Sequence, residues 1–284
     1  MNPLNTPAYN LFYHLNALNG LLFTLDGQLT SFDKLYRDSI SEASFDISII
    51  FSVSTLAIRD LTEWPESGVA IYHYTPGGFS TKGEEWLKLI KVFLARESAW
   101  TVSQAYETFE TFLKDVSAIS ILENQGLVDT NHVEKFEVNK RSKNLTKKDF
   151  AFWREYIEYS YNKNEEILKF IRKICPDISK GEKENNRAID LTEWFAVVGE
   201  VRNSATHSDF IIRAHKMKNW SRKQRDILNK YFSGIYENQE YKLNITIKDA
   251  TFCLELFSEY AFQIYKFLSI SRGYDWNILQ KEKG

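Results

Sequence analysis

The chain has 284 residues, of which 43% are hydrophobic, 15% aromatic and 26% charged, with a formal net charge of -2. That length suffices for one large domain or two modest ones with a real core, and the hydrophobic and aromatic share excludes a chain that stays disordered. The nearly balanced charge excludes a global pull toward nucleic acid, so any such binding has to come from a local patch.

Residues 8 to 26 predict a first amphipathic helix, with Leu11, Leu15, Leu18, Leu22 and Leu25 near helical spacing. A second helical run is expected from Ser31 to Glu63, ending before Pro65. Its centre, SFDISIIFSVSTLAI, also has the β-branched content of a strand, and the phase of its charged flanks favours helix. From Gly68 to Gly83, apolar-aromatic alternation and Pro76-Gly77-Gly78 predict a short hairpin or an ordered loop. His73 lies there between two tyrosines, where a packing role is the simpler reading. Helices are expected again over Glu84 to Arg96 and Thr101 to Asn124. In the second of these, Tyr106, Phe109, Phe112, Leu113, Val116 and Ile119 make the apolar side, while Glu107, Glu110, Lys114 and Asp115 fall on the other side or near its edges. Residues 125 to 149 are polar, and Lys140, Arg141, Lys143, Lys147 and Lys148 form a basic cluster that reads as a solvated loop before it reads as a binding surface. Lys148 to Cys175 predicts one long helix stopped by Pro176, and Asp177 to Ala188 a charged loop.

Asp190 to Asp209, DLTEWFAVVGEVRNSATHSD, organises the rest. Asp190 is a good N-cap, with Glu193 placed to close a capping box. Leu191, Trp194, Phe195, Val198, Val201 and Ala205 then form one apolar stripe of a core-facing helix. Arg202 falls in line with that stripe, where a charge is costly unless paired. Glu200, Asn203 and His207 gather on the opposite side. On a regular helix Arg202 and His207 point well over a right angle apart, so their cooperation requires the chain to turn. Ser204, Thr206, Ser208 and Asp209 compete for backbone hydrogen bonds and predict that the helix ends here.

The run Arg202-Asn203-Ser204-Ala205-Thr206-His207 resembles the R-x(4–6)-H motif of HEPN domains, in the form with a polar residue directly after the arginine. AYETFETFLKDVSA is similar to the opening helix of some members. The resemblance implies a mainly α fold, an up-and-down helical bundle. Here it would have an additional N-terminal helical region and room for a short β-hairpin. The expected divisions are 1–97 as that N-terminal region, 98–273 as the bundle carrying the motif, and 274–284 as a C-terminal tail. It further implies a homodimer in which two motifs meet at one cleft, and a metal-independent endoribonuclease of toxin–antitoxin or anti-phage defence systems. In that role the partners are RNA and an antitoxin or another defence protein. Cleavage would proceed by attack of the ribose 2′-hydroxyl to a 2′,3′-cyclic phosphate, with His207 as acid or base, Arg202 on the phosphate and Asn203 beside them.

The chemistry suits those residue types. Imidazole exists in either protonation state near neutral pH, and a guanidinium donates paired hydrogen bonds to phosphate. Glu200, Ser204 and Thr206 are the candidate supporting residues. Arg213, Lys216, Lys218, Arg222, Lys223 and Arg225, with Trp220 among them and no acid between, make a candidate RNA-binding span or, equally, a basic surface turn. Taken singly, Arg202 also reads as a structural ion pair and His207 as a helix C-cap. The rival expectation is a non-catalytic HEPN-like module binding nucleotide, RNA or a partner protein. Tyr241 to Ile247 is an extended lead-in to a last helix capped by Thr246 or Asp249. No cofactor motif or metal-ligand spacing is present. Cys175 and Cys253 fit no zinc or redox spacing and read as structural thiols. The opening MNPLNTPAYN and the charge-interrupted apolar runs predict neither a signal peptide nor a membrane span, hence a cytoplasmic protein.

Overall fold

A computed structural model describes residues 2–42, 57–59, 72–74, 84–140, 142–161 and 163–277. The chain forms two compact units, one of Met1–Phe23 with Ala95–Gly284, the other of Thr24–Leu94. The elements in order are α1 (Asn5–Glu42), β1 (Ala57–Arg59), β2 (Tyr72–Tyr74), α2 (Glu84–Glu123), a 3-10 turn (Gln125–Leu127), α3 (Thr130–Asn139), α4 (Phe150–Ser160), α5 (Asn164–Ile174) and α6 (Asp177–Lys183). They continue with α7 (Leu191–His207), β3 (Ile211–Ile212), α8 (Ala214–Met217), α9 (Arg222–Tyr231), β4 (Gly234–Glu237), β5 (Glu240–Leu243) and α10 (Ile247–Ser271). The protein is therefore mainly helical, a helical bundle with a small antiparallel sheet in the order β3-β5-β4. Among the described residues no helix is long and apolar enough to cross a membrane.

Several helices differ in extent from what the periodicity predicts. α1 runs on past residue 26 to Glu42. Its two glycines, Gly20 and Gly27, face open space and cost only about 1 kcal/mol each. α2 fuses two expected helices, because Glu97–Trp100 contains no helix breaker and buries Ser98 and Ala99. The long helix expected from Lys148 to Cys175 is instead α4 and α5. Tyr161 is extended, with φ -128° and ψ 101°, and Asn164 then turns its amide onto Glu110 Oε2 at 3.0 Å. The expected loop after Pro176 opens as α6, held by buried Ile178, Gly181 and Glu182. Of the run expected from Ser31 to Glu63, residues 43–56 and 60–63 lie outside the described residues, as do Arg141, the Pro76-Gly77-Gly78 turn and the His73 side chain. Within 68–83, Tyr72–Tyr74 pairs antiparallel with Ala57–Arg59.

The core of the larger unit is aromatic. Phe109 of α2 sits 5.4 Å from Phe195 of α7 and 5.3 and 5.2 Å from Phe257 and Tyr260 of α10. Trp194 meets Phe257 at 4.9 Å, and Tyr106 stacks on Phe195 at 5.1 Å. Burying each such ring stabilises the fold by about 1.5–3 kcal/mol, with about 0.5–1.5 kcal/mol more for each well-placed ring pair. Residues 1–23, expected with the N-terminal region, pack with this bundle. Leu4, Ala8, Leu11 and Leu15 join its core, and Asn2 Nδ2 donates to Ser269 Oγ at 2.8 Å and to the Asp275 carbonyl at 3.1 Å.

One polar network is enclosed among these helices. Glu182, 1% exposed, accepts from Arg172 Nε at 2.8 Å and Nη2 at 2.9 Å, and from the Tyr260 hydroxyl. Burial, together with the adjacent carboxylate, holds the Tyr260 phenol well above its ordinary range, so it stays a neutral donor. Gly181 lets α10 approach closely there, since a Cβ would force the Gln263 side chain and the Phe267 ring of α10 to shift.

Candidate functional site

α7 is the scaffold of the motif. The Asp190 side chain accepts from the Glu193 backbone N–H at 3.3 Å, as an N-cap should, but the Glu193 carboxylate accepts from Ser221 Oγ at 3.5 Å rather than closing the box. Leu191, Trp194, Phe195, Val198 and Val201 of the predicted stripe are buried and Ala205 is half-buried, while Val197 and Ser204, outside that stripe, are buried as well. The helix stays regular through His207 and stops at Ser208, where Asp209 and Phe210 take the left-handed conformation with φ 49° and 67°. The Ser204 carbonyl there accepts from the N–H groups of Ser208 and Phe210 at 3.2 and 3.1 Å.

Arg202 is half-buried, and its charge is compensated. Nη2 donates to Glu107 Oε1 of α2 at 2.8 Å and Nη1 to Asn203 Oδ1 at 3.2 Å, while Nε is covered and has no hydrogen-bond partner among the described residues. A guanidinium has five N–H groups. Each terminal nitrogen therefore keeps one N–H to offer, and the Arg202 side chain, 28% exposed, borders open space.

That space is a cavity of about 460 Å³ where α2, α5 and α7 meet. Its wall is made of Tyr106 and Glu110 from α2, Asn164 from α5, and Gly199, Arg202 and Asn203 from α7, with Lys163, Glu165, Glu200 and Lys216 around the mouth. Gly199 adds no side chain to the wall, and a Cβ there would stand in ordinary contact with the Tyr106 hydroxyl, at 3.4 Å. Burial raises the Tyr106 phenol, against a lowering hydrogen bond with Asn164, so it is neutral at ordinary pH. Burial alone would raise the Glu110 carboxyl, but hydrogen bonds from Lys114 and Asn164 and the charge of Arg202 take it below its ordinary value. Glu200 Oε1 stands 3.6 Å from Lys216 Nζ. Three cationic and three anionic side chains share the lining, so the cavity presents fixed dipoles and ion pairs rather than net positive charge.

His207 does not line this cavity. It is exposed, and its imidazole makes no hydrogen bond among the described residues. The turn expected to bring it beside Arg202 begins one residue too late for that. The supporting residues are placed differently from their expected roles. Ser204 Oγ donates to the Glu200 carbonyl at 2.8 Å and Thr206 Oγ1 to the Arg202 carbonyl at 2.9 Å, so both hydroxyls serve the helix backbone.

The basic span after α7 disperses. Lys216 reaches the Arg202 cavity, and Lys223 pairs with Asp190 at 3.3 Å beside a separate hollow. Arg222 is solvent-borne, 3.9 Å from Asp226, and Arg213 is the exposed N-cap of α8. Trp220, expected to stack on a base, is half-buried against the core. Lys218 and Arg225 line a third hollow with Tyr236 of the hairpin. Comparison with known proteins finds no matching family model, no matching curated protein and no matching solved structure.

Sequence reasoning missed Glu107 as the partner of Arg202, and Asn164 and Tyr106 as cavity wall. Glu107 carried only the signal of a solvated helix face, 95 residues upstream of Arg202. Asn164 lay inside an expected continuous helix.

Proposed function

We propose that the protein is a metal-independent endoribonuclease of the HEPN type, a cytoplasmic toxin or anti-phage effector that converts RNA to a 2′,3′-cyclic phosphate and a 5′-hydroxyl. The observation that carries the reading is Arg202. Its side chain lines a cavity, fixed by Glu107 and Asn203 yet with an N–H left on each terminal nitrogen, on the same helix end that leaves His207 exposed and, among the described residues, without a hydrogen bond. In this reading Arg202 donates to the phosphate oxygens as charge builds in the pentacoordinate state. His207 moves the proton, either from the 2′-hydroxyl or to the departing 5′-oxygen. Since His207 points away from the Arg202 cavity of its own chain, the complete site takes the imidazole of a second copy, which makes the active species a homodimer.

The test is cleavage of labelled RNA in EDTA. Wild type cuts, and Arg202→Ala and His207→Ala each lose activity by about a hundredfold or more, the scale of general acid–base and oxyanion contributions. Relief of toxicity on expression by the same two substitutions is the cellular counterpart. Equal cleavage by all three proteins would end the assignment.

A second reading is favoured by the balanced charge of the cavity lining. In it the protein is a non-catalytic helical module, and the cavity takes a small polar ligand or the motif face meets a partner protein. Wild type and both variants would then be equally inert toward RNA, while a ligand or partner still raised the melting temperature.

A further inference from the structure

A second candidate site lies outside the Arg202 cavity. α8 is one short turn of helix, and its side chains diverge. Lys216 faces the Arg202 cavity, whereas His215 and Lys218, three positions apart, face a hollow of about 520 Å³ closed by Arg225 of α9 and by the β4–β5 hairpin. Tyr236 and Gln239 contribute the hairpin side. The hairpin is built for this presentation. Its two-residue turn, Asn238 and Gln239 with φ 49° and 66°, lets β4 pair with β5 in register Tyr236↔Tyr241. Tyr241 in turn is anchored by its hydroxyl donating to the Phe232 carbonyl at 2.7 Å. Tyr236 leans edge-on against Tyr241 at 4.8 Å and keeps 53% of its surface exposed.

Charge sets this hollow apart from most of the basic span, and Arg213, the remaining cation, is an exposed N-cap that does not line it. Lys216, Arg222 and Lys223 each stand within 4 Å of a carboxylate. Among the described residues, Lys218 and Arg225 have no such partner, and no acidic side chain lines the hollow. Arg225 spends one N–H, from Nη2 to the Met217 carbonyl at 3.1 Å, which fixes its guanidinium at the rim and leaves the remaining donors outward. Uncompensated cations held beside an exposed ring are what a phosphate with an attached base requires.

We propose that this hollow is a nucleotide subsite. Lys218 and Arg225 hold a phosphate, with His215 adding a donor, and a base stacks on Tyr236. The ligand is one nucleotide unit of single-stranded RNA, and the site grips the strand while a neighbouring unit, across α8, faces Arg202. The inference rests on the ribonuclease reading for its substrate.

The experiment is fluorescence anisotropy of dye-labelled single-stranded RNA titrated with the full-length protein carrying His207→Ala, so that RNA is not consumed. Lys218→Gln with Arg225→Gln should weaken binding at least about tenfold at low salt and lower the slope of log affinity against log salt by about 0.7, one phosphate contact's worth for a single strand. Tyr236→Ala should weaken it about five- to a hundredfold, and Tyr236→Phe should bind as the parent does. Lys180→Gln, exposed on α6 and outside every candidate site, is the charge control and should change little. Thermal melts of every variant should match the parent, since these side chains are exposed. Adenosine monophosphate, which carries one phosphate and one base, should compete at the parent but not at Tyr236→Ala, since a single nucleotide is the unit the hollow takes. Binding unchanged in both the charge and the tyrosine variants, or inorganic phosphate competing as well as the nucleotide, overturns the proposal. Cleavage by wild type with unaltered binding by the variants removes the subsite and leaves the nuclease. Tyr236-dependent RNA binding without any cleavage removes the nuclease and leaves the subsite.

Discussion

Two carboxylates, Glu107 and Glu182, each hold an arginine on another helix, and their exposure makes them differ. Glu107 holds Arg202 across two helices, but the pair is partly exposed, with side chains 28% and 48% accessible. Glu107→Gln should therefore cost no more than about 1 kcal/mol in a urea melt. In the nuclease reading the same change lowers RNA cleavage by less than Arg202→Ala does, because it loosens the guanidinium without removing it. A loss as deep as that of Arg202→Ala would mean that Glu107 is itself indispensable. Glu182 behaves oppositely, because it is enclosed. Glu182→Gln leaves Arg172 unpaired in a mostly buried position and should cost about 3 kcal/mol, read as a shift of the unfolding midpoint; a change below about 1 kcal/mol would show that the network relaxes freely. Glu110 supplies the pH dependence. Its folded carboxyl is lowered, so the stability it contributes is full above the ordinary carboxylate range and is lost as pH falls through the lowered value. The melting temperature of Glu110→Gln should thus fall less steeply on acidification than that of wild type. Parallel curves would refute it.

Caps and breaks decide what the elements become. Thr246 and Asp249 form a reciprocal capping box at the start of α10, with Asp249 Oδ2 accepting from the Thr246 N–H at 2.9 Å and Thr246 Oγ1 from the Asp249 N–H at 3.2 Å. Thr246→Ala should cost about 1 kcal/mol by chemical denaturation, and a larger loss would mean that the hairpin lead-in moves with the cap. Both capping residues were legible in the sequence because the box is local. The break between α4 and α5 was not, because what fixes it is Asn164 reaching Glu110 on α2, 54 positions away. α6 was masked in the same way by its charge. Asp177, Lys180, Lys183 and Glu184 read as a loop, yet Glu182 in their midst is neutralised by Arg172, and Gly181 gives α10 its approach.

For the whole molecule, the decisive feature is the regularity of α7. Arg202 and His207 diverge on it, so one chain offers a guanidinium at a cavity and an imidazole elsewhere. If two copies complete the site, mixing Arg202→Ala with His207→Ala protein restores activity. Half of the mixed dimers are heterodimers, each with one intact site, so about a quarter of wild-type activity returns. No recovery in a mixture that size-exclusion chromatography shows to be exchanging dimers would exclude the shared site. The aromatic core sets the stability of the scaffold: Phe109→Ala should cost about 3–5 kcal/mol, because that ring touches both α7 and α10.

Helical character, the buried stripe of α7, its Asp190 cap and its end after His207 followed from the sequence alone, since periodicity, capping and breaking act within a few residues of chain. Tertiary structure decided who partners whom. It gave Arg202 to Glu107, packed Trp220 half-buried against the core and set Tyr236 beside Lys218 and Arg225. Long-range pairing leaves no periodic trace, because a side chain's free energy depends on the surface that folding brings against it rather than on its neighbours along the chain.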